Sequence, residues 1–248
     1  MESFCFAKQN SLLAALPDAD LGSWLAYLEV VEMSQGAVLS EAFDVLTHVY
    51  FPTTSTVSML YIMENGASAE IAVVGNEGVV GISLFMGGQS TPSRAVVRSP
   101  GQALRLDATR MMRGFSKNGV IQRQFLLFIQ ALITQMMQVA ACNQHHSLEQ
   151  QLCRCLLQSL DRMPGDEIAM THEFIANLLG VRREGVTEVI GRLQSAGIIS
   201  CRRGHTRVLH RDLLERRSCE CYGVVKCEYD RLLGPKTKTY VAELAPSD

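Results

Sequence analysis

The chain has 248 residues, of which 47% are apolar and 19% charged, and its formal net charge is −2. These values exclude a disordered chain and favour a globular protein of two modest domains. No uninterrupted apolar run reaches the roughly 18 residues of a membrane span, and the N-terminal residues lack the basic and apolar regions of a secretion signal. We therefore predict a cytoplasmic protein without a membrane partner, whose eight cysteines are mostly free thiols.

Basic residues are concentrated in one segment of the chain. Residues 171–217 hold nine arginines against five acidic residues, whereas residues 1–170 hold ten basic against 15 acidic residues. A compact basic segment in an acidic protein is typical of a surface that binds a polyanion. A solvated arginine-rich face has the same composition, so charge alone leaves both interpretations open.

The N-terminal part of the chain has the pattern of short helices followed by strands. Leucines at helical spacing on both sides of Pro17 predict two short helices within residues 9–29. From residue 30 to about residue 106, β-prone runs alternate with turn signals such as Pro100-Gly101. This spacing predicts an antiparallel sandwich or barrel, and the sequence ENGA around Asn65-Gly66 predicts a hairpin.

A long helical pattern follows, from about residue 108 to residue 162. Four of its apolar residues recur at the spacing of a coiled-coil seam: Ile129, Ile133, Met136 and Ala140. Such a stripe packs either on the chain's own sandwich or on the same helix of a second copy. We predict the second arrangement, a two-fold homodimer. Pro164-Gly165 then ends the helix, which divides the chain into an N-terminal domain (1–118), a dimerisation helix (119–163) and a C-terminal domain (164–248).

The C-terminal domain begins with two short helices joined by a tight turn. Thr171 is predicted to cap the first helix and Gly180 to end it. The second helix starts almost at once, as in a helix-turn-helix whose second helix enters the major groove of DNA. Its exposed residues are candidates for base or phosphate contacts, because arginine bonds guanine edges and glutamate accepts from cytosine: Arg182, Arg183, Glu184, Thr187 and Glu188.

A basic hairpin follows the second helix. The sequence from residue 199 alternates and turns at Arg203-Gly204, which predicts a β-hairpin wing. Its candidate phosphate contacts are Arg202, Arg203, His205 and Arg207. Phosphate contacts position a protein on the duplex and carry no sequence information.

The sequence MTHEFIANLLGVRREGVTEVIGRLQSAGII, followed by RRGHTRVL, resembles the Crp/Fnr family of bacterial transcription regulators. The resemblance extends from about Leu12 to Leu214. It implies an α+β fold with an N-terminal antiparallel β-roll of the cyclic-nucleotide-binding type, a long dimerisation helix and a C-terminal winged helix-turn-helix. Double-stranded DNA is the implied partner, with RNA polymerase as a further candidate. Arg183 and Glu184 match the pair with which the family reads base edges, and Thr171 matches its phosphate-contacting cap.

The chain departs from the family pattern in the second helix. Arg182 stands where the family usually has a capping serine or threonine, Gly185 replaces a threonine, and Glu188 replaces an arginine. We therefore expect DNA binding but a different operator sequence.

Residues 78–99 resemble the family's phosphate-binding segment, with four candidate ligand-binding residues: Gly81, Ser83, Ser93 and Arg94. Ile82 replaces the expected glutamate, the Arg-Ser pair is reversed, and Met136-Met137 replaces a hydroxyl pair that would reach the purine. These departures disfavour cyclic AMP. They leave two alternatives open: an unidentified effector such as another cyclic nucleotide or a dinucleotide, or a filled pocket in which Arg94 pairs with an acid.

Two groups of cysteines were considered as metal sites. Cys142 and His146 share a helix face and could hold zinc or haem, but a cysteine in a helix seam is more often a small hydrophobic residue. Cys219, Cys221 and Cys227 lack the spacing of a zinc ribbon and are expected to be ordinary or mildly redox-sensitive thiols. We predict no metal and assign no certain cofactor.

The function predicted from the sequence is that of a homodimeric, sequence-specific DNA-binding transcription regulator. The alternative is a ligand-binding or protein-interaction module whose helix-turn-helix no longer binds DNA. The sequence shows no nucleophile–base pair, phosphate loop or paired carboxylates, so we do not expect an enzyme.

Overall fold

The computed structural model describes residues 2–117, 119–163, 165–202 and 204–234. The helices are α1 (Glu2–Ala7), α2 (Ser11–Ala14), α3 (Asp18–Leu25), α4 (Ala108–Lys117), α5 (Gly119–His145), α6 (Leu148–Leu160), α7 (His172–Leu179), α8 (Arg183–Ser195), α9 (Arg211–Arg217) and α10 (Glu220–Leu233). The strands are β1 (Glu29–Met33), β2 (Val38–Ser40), β3 (His48–Pro52), β4 (Thr56–Ile62), β5 (Ser68–Val74), β6 (Arg94–Ser99), β7 (Gly101–Asp107), β8 (Glu167–Ala169), β9 (Ile199–Arg202) and β10 (His205–Val208).

Strands β1 to β7 form the antiparallel β-roll predicted from the sequence. In the described residues one sheet has the order β1-β7-β3 and the other the order β2-β6-β4-β5. The β4–β5 hairpin turns at Gly66, which adopts φ 82°, and the Asn65 side chain accepts a hydrogen bond from the Ala67 amide at 3.0 Å. This turn confirms the hairpin predicted from ENGA.

An aromatic cluster joins the β-roll to the first half of α5. The Phe125 ring lies edge-on to Phe51, with centroids 6.2 Å apart, and edge-on to Phe85 at 5.2 Å. Gly78 permits close packing of the next aromatic side chain, because a Cβ at this position would lie 2.1 Å from Phe128 Cε2. Each buried phenylalanine contributes about 1.5–3 kcal/mol. By length and composition α5 could cross a membrane, but its Phe125 face is buried in the chain's own core.

The predicted helix of residues 119–163 is interrupted. Helix α5 ends at His145, and α6 begins after Ser147, whose side chain and backbone form a capping box with Gln150. Leu152 and Leu156 of α6 belong to the core cluster that contains the helix-turn-helix. Helix α6 therefore packs as part of the C-terminal half, and only α5 continues along the β-roll.

Two buried arginines connect the β-roll to the C-terminal half. Arg98 of β6 is fully buried, and it donates to the Glu70 carboxylate at 3.0 Å and to Ser159 Oγ of α6 at 2.7 Å. Arg162, just after α6, donates from Nε to Glu77 Oε1 at 2.7 Å. These contacts hold α6 against the β-roll, since an unpaired charge in either place would be costly.

Candidate functional site

The helix-turn-helix is built by α7 and α8, and its caps are those predicted. Thr171 Oγ1 accepts a hydrogen bond from the Phe174 amide at 3.1 Å at the start of α7. Gly180 ends α7 in the left-handed conformation, with φ 65°, which glycine adopts without steric cost. The inner face of α8 is buried, with Val186 and Leu193 both fully enclosed. The outer face is thereby fixed toward solvent.

The outer face of α8 carries the predicted base-reading residues. All five are exposed: Arg182, Arg183, Glu184, Thr187 and Glu188. Glu188 pairs with Arg192 at 2.8 Å, and Thr187 Oγ1 donates to the Arg183 carbonyl at 3.0 Å. Among the described residues, the side chains of Arg182, Arg183 and Glu184 make no hydrogen bond or ion pair. These three are therefore available to a ligand without breaking an internal contact.

His172 joins the two helices to the wing, a role that the sequence did not indicate. Its Nδ1 lies 3.0 Å from Thr187 Oγ1, and its Nε2 lies 3.6 Å from Cys201 Sγ of β9. Burial lowers the pKa of His172 below its ordinary value, and the nearby Arg183 guanidinium lowers it further. At neutral pH the imidazole is therefore uncharged and orients the start of α8.

The wing is the sheet β8-β10-β9, and its basic residues have different surroundings. Arg202 is exposed and unpaired among the described residues. His205 and Arg207 both contact Glu167 of β8, at 3.0 Å and 2.9 Å. Arg203 lies outside the described residues. An open cleft of about 740 Å³ separates the wing from α8, with Arg183 on one side and Gly204 on the other.

Gly185 has a packing reason to replace the family's threonine. A Cβ at Gly185 would lie 3.0 Å from Leu148 Cδ2 at the start of α6. A threonine would therefore require the end of the Leu148 side chain to shift by a few tenths of an ångström. The departure from the family pattern allows these two helices to approach closely.

A cavity of about 230 Å³ lies between the β-roll and α5. Gly81, Ser83 and Ser93 line it, as predicted for a ligand site, together with apolar side chains such as Leu132 and Met136. Ser83 Oγ is buried in this region without a hydrogen-bond partner among the described residues. The cavity thus offers apolar walls and a few hydroxyl groups.

Arg94, the fourth candidate ligand-binding residue, does not line this cavity. Arg94 donates from Nη2 to Glu41 Oε1 at 2.8 Å and does not contribute to the cavity wall. The carboxylate neutralises the guanidinium, and no charged side chain among the described residues lines the cavity. The ion pair is the one in the filled-pocket alternative, but the cavity beside it is open rather than filled.

Two of the four predicted dimer residues face outward on α5. Ile133 is 46% exposed and Ala140 is also exposed, whereas Ile129 is only 6% exposed and packs in the chain's own core. Met136 is half-buried and lines the cavity, so the chain's own packing covers Ile129 fully and Met136 in part. The exposed stripe is completed instead by two residues that the seam prediction omitted, at coiled-coil spacing: Leu126 (57%) and Met137 (59%).

Comparisons with known proteins agree with this architecture. Residues 30–118 match the model of the cyclic nucleotide-binding domain, and residues 150–217 match that of the Crp-like helix-turn-helix domain. Together the two models match more than half of the chain. Among curated proteins, no sequence matches significantly.

Solved structures with the same fold include several transcription regulators. A Crp/Fnr family regulator from Eubacterium rectale is 16% identical, with a TM-score of 0.65 over 84% of this chain and 98% of its own. FixK2 from Bradyrhizobium japonicum is 14% identical, with a TM-score of 0.65 over 77% and 98%. The c-di-GMP responsive regulator CLP from Xanthomonas campestris is 15% identical, with a TM-score of 0.62 over 77% and 99%.

A β-roll followed by a long helix and a winged helix-turn-helix defines a class of two-domain bacterial regulators. By its domain models and fold, this chain belongs to the Crp/Fnr family of transcription regulators.

Proposed function

We propose that the protein is a homodimeric, sequence-specific DNA-binding regulator that acts in the cytoplasm, with one α8 helix in the major groove of each operator half-site. The observation that carries the proposal is the pair Arg182 and Arg183, exposed at the first turn of α8 and free of internal partners among the described residues. A bidentate arginine contact discriminates bases by about 1–3 kcal/mol. Arg183 and Glu184 are the proposed base-reading residues.

The remaining contacts in this proposal are with phosphates. Thr171 stands at the N-terminus of α7, where a phosphate is favoured by the helix dipole. Arg202 and the wing residues Arg203, His205 and Arg207 would grip the backbone beside the groove. Because Glu167 already contacts His205 and Arg207, these two residues would have to release the Glu167 carboxylate in order to contact a phosphate.

Dimerisation is proposed through the exposed stripe of α5, defined as Leu126, Ile133, Met137 and Ala140. Pairing two parallel copies would remove these apolar side chains from water. A two-fold dimer would also set the two α8 helices about one DNA turn, roughly 34 Å, apart. RNA polymerase is the further partner proposed for such a regulator at its promoter.

The effector is proposed to be a small molecule bound in the cavity between the β-roll and α5. Apolar walls and buried hydroxyl groups favour a largely uncharged ligand. A cyclic nucleotide or a dinucleotide, such as the c-di-GMP to which CLP responds, would need Arg94 to leave Glu41.

Selection of genomic fragments on the purified protein tests the function as a whole. We expect a shared two-fold-symmetric sequence among the bound fragments and a steep loss of affinity with added salt. The double variant R182A/R183A should abolish the preference, whereas Arg216→Ala, an exposed residue of the same basic segment, should preserve it. Binding without preference over random competitor DNA would instead support the interaction-module alternative.

A further inference from the structure

Four potential metal-ligating side chains meet at the end of α5 and the start of α10. Cys142, His146, Cys219 and Cys221 place one ligand atom each within 4.8 Å of all the others. The Sγ atoms of Cys142 and Cys219 are 3.5 Å apart, and Cys221 Sγ lies 3.5 Å from His146 Nδ1. Around one tetrahedral zinc ion, neighbouring sulfur and nitrogen ligands lie roughly 3.5–3.8 Å apart. The two measured separations therefore match a single ion.

Local secondary structure places two ligands on each side of the cluster. Cys142 and His146 are one helical turn apart, and the His146 amide donates to the Cys142 carbonyl at 3.0 Å. Cys219 is the N-cap residue of α10, and Cys221 lies in its first turn. Helix geometry thus presents both pairs toward the same point.

The histidine is oriented by a carboxylate that contacts the ring nitrogen away from the thiols. His146 Nε2 lies 3.3 Å from Glu220 Oε2, while its Nδ1 faces the thiols. Metal-binding histidines commonly use their other nitrogen in this way, because the carboxylate fixes the tautomer and the ring. Gln151 Nε2 also donates to the His146 carbonyl at 2.9 Å. The ring is therefore held with its ligating nitrogen on the cluster.

A buried arginine beside the cluster points to a missing negative charge. Arg154 is 3% exposed, and its Nε has no hydrogen-bond partner among the described residues. Its Nη1 donates to the neutral Gln158 side chain at 3.2 Å, and no ion pair joins it to a described carboxylate. Arg154 also lies close enough to the Cys142 thiol to interact with it electrostatically. Zinc with three thiolates and a neutral imidazole carries a net charge of −1, which would compensate for this guanidinium.

We propose that Cys142, His146, Cys219 and Cys221 form a tetrahedral Cys₃His site for one Zn²⁺ ion. The protein supplies all four ligands, so the site is closed and structural rather than catalytic. The short distances among all four atoms fit one ion and leave too little space for a cluster of several irons. The two cysteine groups are far apart in the sequence, which therefore predicts no metal, and the packing of α10 on α5 brings them together.

The site would fix the corner at which the C-terminal half leaves α5. Helix α6 begins two residues after His146, while Cys219 and Cys221 follow α9 of the C-terminal half. Zinc would therefore clamp both ends of the C-terminal half against α5. This proposal does not depend on DNA binding.

The test uses the full-length protein, purified under reducing conditions without added chelator. Elemental analysis should find one zinc per chain, and X-ray absorption should find three sulfur ligands and one nitrogen ligand. Cys142→Ser and Cys221→Ser should each reduce bound zinc to near zero. Cys227→Ser removes an exposed thiol from the same helix and should retain one zinc per chain.

Two further measurements do not rely on variants that lose a ligand. Cobalt added to metal-depleted wild-type protein should give thiolate-to-metal charge-transfer bands and the strong visible absorption of tetrahedral Co²⁺. Glu220→Gln should weaken zinc binding by about 10–100-fold, whereas Asp230→Asn, an exposed position on α10, should leave it unchanged. The proposal is overturned if wild-type protein holds no zinc and gives no such bands, if it retains iron instead, or if Cys142 and Cys219 are isolated as a disulfide.

Discussion

Arg183 and Arg207 are both basic residues of the C-terminal half, but their surroundings assign them different tasks. Arg183 is exposed and makes no side-chain ion pair among the described residues, whereas Arg207 contacts Glu167 at 2.9 Å. An unpaired arginine gains the full energy of a new bidentate contact. A paired arginine gains only the difference between the new contact and the ion pair that it gives up. This difference supports the proposal that Arg183 reads bases and Arg207 contacts the phosphate backbone.

Arg183→Ala should reduce operator affinity by about 1–3 kcal/mol and relax the preference at one base position. The reason is that Arg183 lies at the start of α8, where side chains meet base edges. Competition binding with operators substituted at single positions measures both effects. Arg202→Ala provides the comparison, because a wing residue should weaken all sequences equally and flatten the salt dependence. Equal weakening of all sequences by Arg183→Ala would make Arg183 a phosphate contact.

At the scale of elements, local signals predicted α7 and α8 well, but those of α5 were ambiguous. Thr171 and Gly180 are a cap and a stop that act within a few residues, so the sequence contains them. Helix α5 has apolar residues on opposite sides, with Phe125 toward the β-roll and Leu126 toward solvent. Periodicity cannot say which side faces the chain's own sheet, and Ile129, a predicted seam residue, packs in the chain's own core.

The sequence also contains a local signal for the break between α5 and α6. Ser147 and Gln150 have the spacing of a capping box, but the flanking residues favour helix on both sides. The sequence does not indicate that Cys142 and Cys219 lie close together, because they are 77 positions apart in the chain. Only the packing of α10 on α5 brings them to 3.5 Å.

Ile133→Asp should convert the protein to monomers in analytical ultracentrifugation and greatly weaken operator binding. In the isolated chain Ile133 is 46% exposed, so the aspartate would leave the monomer folded. At a helix–helix interface the same charge would be buried without a partner, which is strongly unfavourable. Ile62→Asp is the matched control, since Ile62 is 43% exposed on β4, away from α5. A dimeric Ile133→Asp protein would refute the proposed interface.

On the scale of the whole molecule, the two halves share buried polar contacts rather than a flexible linker alone. Arg98 of the β-roll reaches both Glu70 and Ser159 of α6, and it is fully buried. This contact joins β6 directly to the helix that precedes the helix-turn-helix. We propose it as a route by which ligand binding in the β-roll would act on α8.

Arg98→Ala should lower the free energy of unfolding by about 3–5 kcal/mol, because it leaves the Glu70 carboxylate, whose side chain is only 11% exposed, without its cation. Denaturant unfolding measures the change. Arg105→Ala breaks an exposed ion pair with Glu29 in the other sheet of the β-roll. We expect it to lower the free energy of unfolding by only about 0–1 kcal/mol. A loss from Arg98→Ala no larger than that of Arg105→Ala would contradict a buried structural role.

Cyclic AMP should not bind tightly or raise the affinity for DNA. Ile82 cannot accept hydrogen bonds from a ribose, and each buried hydroxyl left unpaired costs about 1–3 kcal/mol. The phosphate would also lack a cation, because Arg94 is held by Glu41 outside the cavity wall. Calorimetric titration measures binding, with cyclic di-GMP as a second ligand. Micromolar affinity for cyclic AMP, together with stronger operator binding, would refute this prediction.

Glu167 has a consequence for how the protein would find its operator among millions of competing sites. A carboxylate that contacts His205 and Arg207 would screen these two residues from random duplexes, because a phosphate must first displace it. The time that a protein spends on non-specific DNA depends almost wholly on phosphate contacts. Weaker phosphate contacts from His205 and Arg207 would therefore shorten that time. At the operator, base contacts from α8 hold the wing in place long enough for the exchange to occur. The acidic residue on strand β8 of the wing would thus shorten the time that the protein needs to find its operator.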